Sequence, residues 1–180
     1  MDQIISAHNA KILRAGNETA TALPCNCRRE CPLQGTNDCR SKPVVYKAEI
    51  QGSIYVGQTM TEFRTRCARH RTSFKKEYKK SETALSKFIW DKGLNMNAEG
   101  EICEPNIKWS ILKQCTLYKP GQRDCDLCLS EKALIIMHLR SPKCINKKTD
   151  LSNKCNHKKA WFYCGLQCTE SSHEAEEPIT

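Results

Sequence analysis

Val44-Val45-Tyr46-Lys47-Ala48-Glu49-Ile50-Gln51-Gly52-Ser53-Ile54-Tyr55-Val56-Gly57 is the stretch on which the fold turns. Two runs rich in β-branched and aromatic residues, Val44 to Ile50 and Ser53 to Gly57, flank Gln51-Gly52. A glycine there supplies the positive φ of a short hairpin turn. With a two-residue loop, Ile50 faces Ser53 and Ala48 faces Tyr55. Side chains alternate along a strand, so Tyr46, Ala48, Ile50, Ser53 and Tyr55 share one face, and both phenols point to the same side.

Downstream, Thr61 to about Lys80 reads as a helix with Thr61 as its N-cap. Phe63, Cys67 and Phe74 form its apolar stripe, and Arg66 and His70 stand at i and i+4 on a neighbouring face. Thr83 to Lys92 is a second helix, with Leu85, Phe88 and Ile89 inward and Gly93 as its stop. After a loop over Asn95 to Pro105, Ile107 to Leu117 reads as a third strand that packs through Trp109, Ile111 and Leu112. Leu127 to Leu139 is a core helix, apolar almost all round except for Glu131, Lys132 and His138. A short turn near Leu151 and Lys154 closes the pattern. The expected fold is α/β in the α+β sense, a small three-stranded antiparallel sheet flanked by helices.

The chain of 180 residues has room for one domain with small appendages. Residues 1–22 read as a helical or linker segment, 23–43 as a Cys-, Pro- and Gly-rich segment, 44–163 as the catalytic-type domain and 164–180 as a disordered acidic tail. The longest apolar run, Ala133 to Met137, falls far short of the roughly 20 residues a bilayer requires. Met1-Asp2-Gln3-Ile4-Ile5-Ser6 has none of the marks of a secretory signal. An intracellular protein with no membrane partner is expected.

The formal net charge is +9, and its distribution sharpens it. All 29 Lys and Arg lie at or before Lys159, whereas Glu170, Glu174, Glu176 and Glu177 belong to the tail. Between Arg64 and Lys80 the cations Arg64, Arg66, Arg69, Arg71, Lys75 and Lys76, with Lys79 and Lys80, face only Glu77 in sequence. A field of that sign gathers polyanions in a salt-dependent way, which makes Arg64, Arg69, Arg71, Lys75 and Lys76 candidate DNA contacts; the alternative is a solvated helical face.

Thirteen cysteines without a signal segment favour metal over disulfides. Cys125-x-x-Cys128 with Cys155-x-His157 supplies two close ligand pairs for a tetrahedral zinc. Cys25, Cys27, Cys31 and Cys39 make a second set of less usual spacing, with a redox-sensitive loop as the alternative. Cys67, Cys103, Cys115 and Cys144 read as small buried hydrophobes.

Tyr46, Tyr55-Val56-Gly57, Phe63-x-x-Arg66-x-x-x-His70, Glu131 and Asn146 together resemble the GIY-YIG endonuclease signature in its order, over roughly residues 44–157. Val44-Val45-Tyr46 stands where Gly-Ile-Tyr would be expected. Within that family the chain most resembles the endonuclease domain of Penelope-like retroelements, where similar cysteine segments precede the first strand and the acidic helix, and a Cys-x-His follows the asparagine. The resemblance implies a nuclear enzyme that nicks DNA to leave a 3′-hydroxyl primer, with a reverse transcriptase as partner in cis or in trans.

Phosphodiester hydrolysis needs an in-line water, neutralisation of the developing charge and an electrophile at the leaving oxygen. Glu131 is then the expected ligand of one Mg2+ or Mn2+, and Arg66 the fork on the scissile phosphate. Tyr46 is the candidate general base, its phenol pKa lowered by cation and metal, with His70 sharing or relaying the proton. Tyr55 orients water or phosphate, and Asn146 holds the site by hydrogen bonds or caps the turn after it. Taken singly, each has a plain reading: strand packing for the tyrosines, a surface carboxylate for Glu131. A reading from another class is a catalytically inactive, zinc-stabilised nucleic-acid-binding module; a secreted disulfide-rich protein is a third.

Overall fold

The computed structural model describes residues 25–27, 31–33, 37–119, 122–155 and 157. The helical or linker segment expected over residues 1–22 and the acidic tail expected over residues 164–180 lie outside the described residues. In chain order the elements are β1 (Val44–Ile50), β2 (Ser53–Thr59), α1 (Phe63–Lys75), α2 (Ala84–Asp91), β3 (Lys108–Gln114) and α3 (Asp126–Leu139), with 3-10 turns at Asn37–Arg40, Glu77–Glu82 and Lys148–Ser152.

The hairpin forms as its residues predict. Gln51 and Gly52 both have positive φ, and β1 pairs with β2 antiparallel with Ile50 opposite Ser53, Ala48 opposite Tyr55 and Tyr46 opposite Gly57. β3 adds to the other side of β1, giving the antiparallel order β2-β1-β3 with a register shift between Val45 and Tyr46. Alternation then serves two cores. Val44, Tyr46, Ala48, Ile50 and Tyr55 pack with Phe63, Cys67, Phe74, Leu85 and Ile89 of α1 and α2. Val45 and Val56 meet Leu127, Cys128, Leu134 and Ile135 of α3. Helices therefore cover both faces of the sheet, which is why β1 buries apolar side chains on both sides. Among the described residues no helix is long and apolar enough to cross a membrane.

Boundaries differ from expectation for identifiable reasons. α1 stops at Lys75, and Glu77–Glu82 is a 3-10 turn, because Phe74 is the last residue of the buried stripe and Tyr78 beyond it is 79% exposed. The carbonyls that would continue the helix are taken by side chains instead: Trp90 Nε1 donates to Ser73 O at 2.9 Å and Asn95 Nδ2 to Phe74 O at 2.8 Å. Thr61 is not the N-cap of α1. Its hydroxyl pairs with that of Thr59 at 3.0 Å, and Glu62 takes the cap position without a side-chain bond. Thr83 does cap α2, accepting from Ser86 N at 3.0 Å.

β3 ends at Gln114 rather than Leu117 because the next residues turn onto α3. Asp126 accepts from Thr116 N at 2.8 Å and from the Lys113 ammonium at 2.9 Å, and Lys113 also donates to Ser130 Oγ at 3.0 Å. Lys113 is only 5% exposed, so this strand-to-helix tie is a buried charge pair that survives through its full set of hydrogen bonds. Replacing Asp126 by alanine strands the buried ammonium. We expect Asp126→Ala to lower the unfolding free energy by about 3 kcal/mol in denaturant titrations, and Lys113→Met in the same background to recover part of that loss.

Candidate active site

β2 is an edge strand, and an edge strand presents a row of unsatisfied backbone groups that the fold must cover. Three coverings follow one another at alternate residues. Ile54 N donates to Lys143 O at 2.9 Å and Ile54 O accepts from Ile145 N at 2.8 Å. Val56 N donates to Asn146 Oδ1 at 2.7 Å while Asn146 Nδ2 donates to Val56 O at 2.9 Å, so one amide side chain mimics a strand residue. Further along, the backbone N–H of Gln58 is close enough to the Glu131 carboxyl to lower its pKa, the least of the influences on it. Asn146 therefore holds the site by hydrogen bonds, and the cap of the following turn falls to Lys147.

Beside this edge lies a cavity of about 300 Å³ lined by Tyr55, Arg66, Glu131, Asn146 and Asp150, with Ile135, Asn153, the end of the 3-10 turn at Ser81 and Glu82, and the start of α2 completing its wall. Four of the six residues expected in the site thus share one cavity, delivered by β2, α1, α3 and the segment after α3. Tyr46 and His70 do not line it. Both are buried, at 0% and 2% exposure, and they stand one layer behind.

That inner layer is a chain of hydrogen bonds. Arg66 Nε donates to the Tyr46 hydroxyl at 3.0 Å, and the same hydroxyl lies 2.8 Å from His70 Nε2. With Arg66 donating to the Tyr46 oxygen, a phenol proton given to Nε2 would make His70 the acceptor and leave the imidazole proton on Nδ1. Burial, with Arg66 adding to it, pushes the His70 pKa down to about 3, so the ring is neutral near pH 7, as that geometry requires. Aromatic rings box it in, with Phe74 stacked at 5.9 Å and Trp109 at 5.5 Å between centroids. Gly57 makes the arrangement sterically feasible. A Cβ there would lie 2.6 Å from the Tyr46 hydroxyl and 2.9 Å from the Tyr55 ring, so any other residue would collide with the phenol that Arg66 and His70 hold.

Burial also sets the state of the two phenols. Burial, with Tyr55 adding to it, holds the Tyr46 phenol well above its ordinary pKa, and Arg66 only partly opposes the rise. Tyr55 is pushed up to about 12, mainly by burial. Both phenols are thus held in their neutral form by their surroundings, and neither Tyr46 nor His70 lines the cavity. The Tyr46 hydroxyl ties Arg66 to His70.

Glu131 is the group that departs most usefully from its surface value. Burial first and Asp150 second raise its carboxyl to about 7, against the opposing pull of Arg66, Lys132 and the Gln58 N–H. Sequence reasoning alone misses Asp150. It accepts from Asn146 Nδ2 at 3.3 Å and from Lys147 N at 3.0 Å. Its only signal is its place four residues after Asn146, where a turn-capping acid is unremarkable.

Both cysteine sets assemble. In each, the four ligand atoms lie within 4.8 Å of one another, so Cys125, Cys128, Cys155 and His157, and likewise Cys25, Cys27, Cys31 and Cys39, can hold a zinc ion. His157 Nδ1 lies 3.4, 3.2 and 3.8 Å from the three sulfurs, and Cys27 and Cys39 sulfurs are 3.7 Å apart. Tetrahedral edges around zinc with ligand bonds of about 2.0–2.3 Å are roughly 3.5–3.8 Å. Such distances are far from the S–S bond of about 2.05 Å, and the described cysteines are free thiols. Of the four isolated cysteines, Cys67 and Cys115 are buried as expected, whereas Cys103 and Cys144 are half-buried.

The basic run of α1 is less open than its sequence suggests. Arg64 pairs with Glu62, Arg71 with Glu104, Lys79 with Glu82 and Lys80 with Asp91, so acids from other segments supply what Glu77 alone could not. Arg69, Lys75 and Lys76 remain exposed. Comparison with protein-family models, curated proteins and solved structures finds no match for this chain.

Two measurements check the site as built. Metal analysis of the full chain purified without chelator should return two zinc ions per molecule, and Cys128→Ser should remove one of them. For His70 the folded pKa of about 3 lies below the 6.5 of the free side chain. Between these values the unfolded chain binds a proton that the native one does not. Stability from this group is complete above pH 6.5 and falls with acid by up to about 1.4 kcal/mol per pH unit. In urea titrations the advantage of the unmodified protein over His70→Gln should shrink as the pH is lowered from about 7.5 to about 5.

Proposed function

We propose that this chain is a metal-dependent DNA endonuclease of the GIY-YIG kind, similar to the nicking domain of Penelope-like retroelements. The observation that carries the reading is the meeting of Tyr55, Arg66, Glu131 and Asn146 on one cavity, from four separate parts of the chain. Packing alone offers no reason to gather a guanidinium, a phenol, an amide and a carboxyl there.

The donor set suits Mg2+ or Mn2+. The carboxyls on the cavity wall include those of Glu131 and Asp150, and the other polar groups there are oxygen- and nitrogen-bearing, while the thiolates that would capture zinc lie in the two cysteine sets. Glu131 would hold the ion. Bound there, Mg2+ lowers the pKa of an attached water and offsets charge at phosphorus and at the leaving oxygen. Arg66 has its Nε committed to Tyr46 and also interacts with the Tyr55 hydroxyl, so its remaining guanidinium N–H groups are the donors to the non-bridging oxygens of a phosphodiester. Tyr55 presents its hydroxyl as a donor that orients water or phosphate. Asn146 fixes β2 against the segment that carries Asp150, and Tyr46 with His70 keeps Arg66 aimed. Cys128 and Glu131 lie on one side of α3 about a turn apart, so zinc at the Cys125 set steadies the helix that presents the carboxylate.

The reading includes a 3′-hydroxyl product used as a primer, a nuclear site of action and a reverse transcriptase partner. A catalytically inactive nucleic-acid-binding module is the competing reading, and the exposed cations and zinc sets serve it equally well. Plasmid nicking separates the two. With Mg2+ present, the unmodified chain should convert supercoiled DNA to the open circle, and Glu131→Ala should slow conversion by at least about a hundredfold. Equal rates for both proteins, or no conversion by either, would reject the nuclease.

A further inference from the structure

A second, larger groove of about 520 Å³ adjoins the candidate active cavity, and Ser81, Thr83 and Ala84 belong to the walls of both. It runs between α2, the start of β2 and the segment after α3. Lys87 comes from α2, Lys143 and Lys147 come from the segment that covers the β2 edge, and Ser53, Ser81 and Thr83 add hydroxyls. All three lysines are exposed, and none forms an ion pair among the described residues. The acid on this wall, Asp91, is already paired with Lys80 at 2.7 Å. Lys80 first, then the fields of Lys87 and Lys147, hold the Asp91 carboxyl below its ordinary range, so those two ammonium groups act on the same space.

We propose that this groove is the track for the sugar-phosphate backbone flanking the scissile bond, with Lys87, Lys143 and Lys147 as its phosphate contacts. Three point charges from two segments line one concave surface that adjoins the cavity holding Arg66. A polyanionic strand lying there would place successive phosphates on lysines and one on the guanidinium. Half of the cations in the run from Arg64 to Lys80 are already paired with acids. The groove therefore replaces α1 as the main contact surface. The identity of the ligand rests on the nuclease reading above, whereas the existence of a phosphate track does not.

The test uses the full chain, a fluorescein-labelled random-sequence DNA duplex and anisotropy in Mg2+-free buffer without chelator, so that the cysteine sets keep their metal. The triple variant Lys87→Gln, Lys143→Gln, Lys147→Gln should bind at least tenfold more weakly. Its plot of log K against log [salt] should flatten by roughly 0.9 for each phosphate that is no longer neutralised. The matched triple variant Arg69→Gln, Lys75→Gln, Lys76→Gln removes the same charge and should weaken binding far less, and replacing the three groove lysines by arginine should retain binding. Thermal melts establish that each variant is folded. No salt-dependent binding by the unmodified chain, an unchanged affinity in the groove variant, or equal weakening in the two triples would overturn the track. Equal plasmid nicking by Glu131→Ala would instead sink the nuclease reading and leave the track standing.

Discussion

The constraint on which the rest depends is the pairing of Tyr46 with Gly57 across the hairpin. Because Gly57 has no side chain, the Tyr46 phenol can lie over the neighbouring strand and present its hydroxyl to α1. Arg66 and His70, one helical turn apart, both bond that single oxygen, which fixes the rotation of α1 on the sheet. With α1 so set, Phe63, Cys67 and Phe74 fill the space beneath, and the free face of the Arg66 guanidinium emerges at the β2 edge. A slip of one residue in the hairpin would send Tyr46 to the opposite face and dissolve both core and site together.

On the opposite face the fold meets a different problem, which is to bring α3 close enough to the same edge. Lys113 and Asp126 tie the end of β3 to the first turn of α3, and the Cys125 set ties that turn to the chain beyond Asn146. Between these anchors the helix can place Glu131 only near Gln58. The Asn146 amide then closes the backbone of Val56, so edge protection and site assembly use the same residues. This double use explains why Asn146 is buried although it is polar, and why no apolar residue could replace it without stranding two backbone groups.

Much of this is legible in the sequence wherever one local rule decides the outcome. Strand alternation places both tyrosines on one face, the two-residue turn sets the register, and the four-residue step from Arg66 to His70 sets their common target. Cysteine spacing anticipates both ligand sets. What stays hidden depends on partners distant in sequence. The end of α1 is decided by Trp90 and Asn95 reaching back to its last carbonyls, and the end of β3 by Asp126. Asp150 gives no motif of its own. The basic run misleads because the acids that neutralise it, Glu62, Glu82, Asp91 and Glu104, come from outside the helix. The protonation states of Tyr46 and His70 are equally invisible, since burial is the largest influence on both.

Electrostatics also bears on the choice between the proposed nuclease and an inert binding module. Keeping a mostly buried carboxyl beside a second acid costs free energy, and the raised pKa of Glu131 expresses that cost. A surface meant only to attract polyanions gains nothing from Glu82, Glu131 and Asp150 on the wall of a cavity beside its basic groove, because like charge repels the ligand there. In the proposed reading a hard divalent cation would resolve the conflict, relieving the repulsion between Glu131 and Asp150 and making the same spot attractive to phosphate. Arg66, with its Nε bonded to Tyr46, lines the same cavity of about 300 Å³ and pulls the Glu131 pKa down against burial and Asp150. Carboxyls and a guanidinium on one wall make a site of both signs, and on the proposed reading a phosphodiester together with a cation would satisfy both, where a phosphodiester alone would satisfy only the guanidinium.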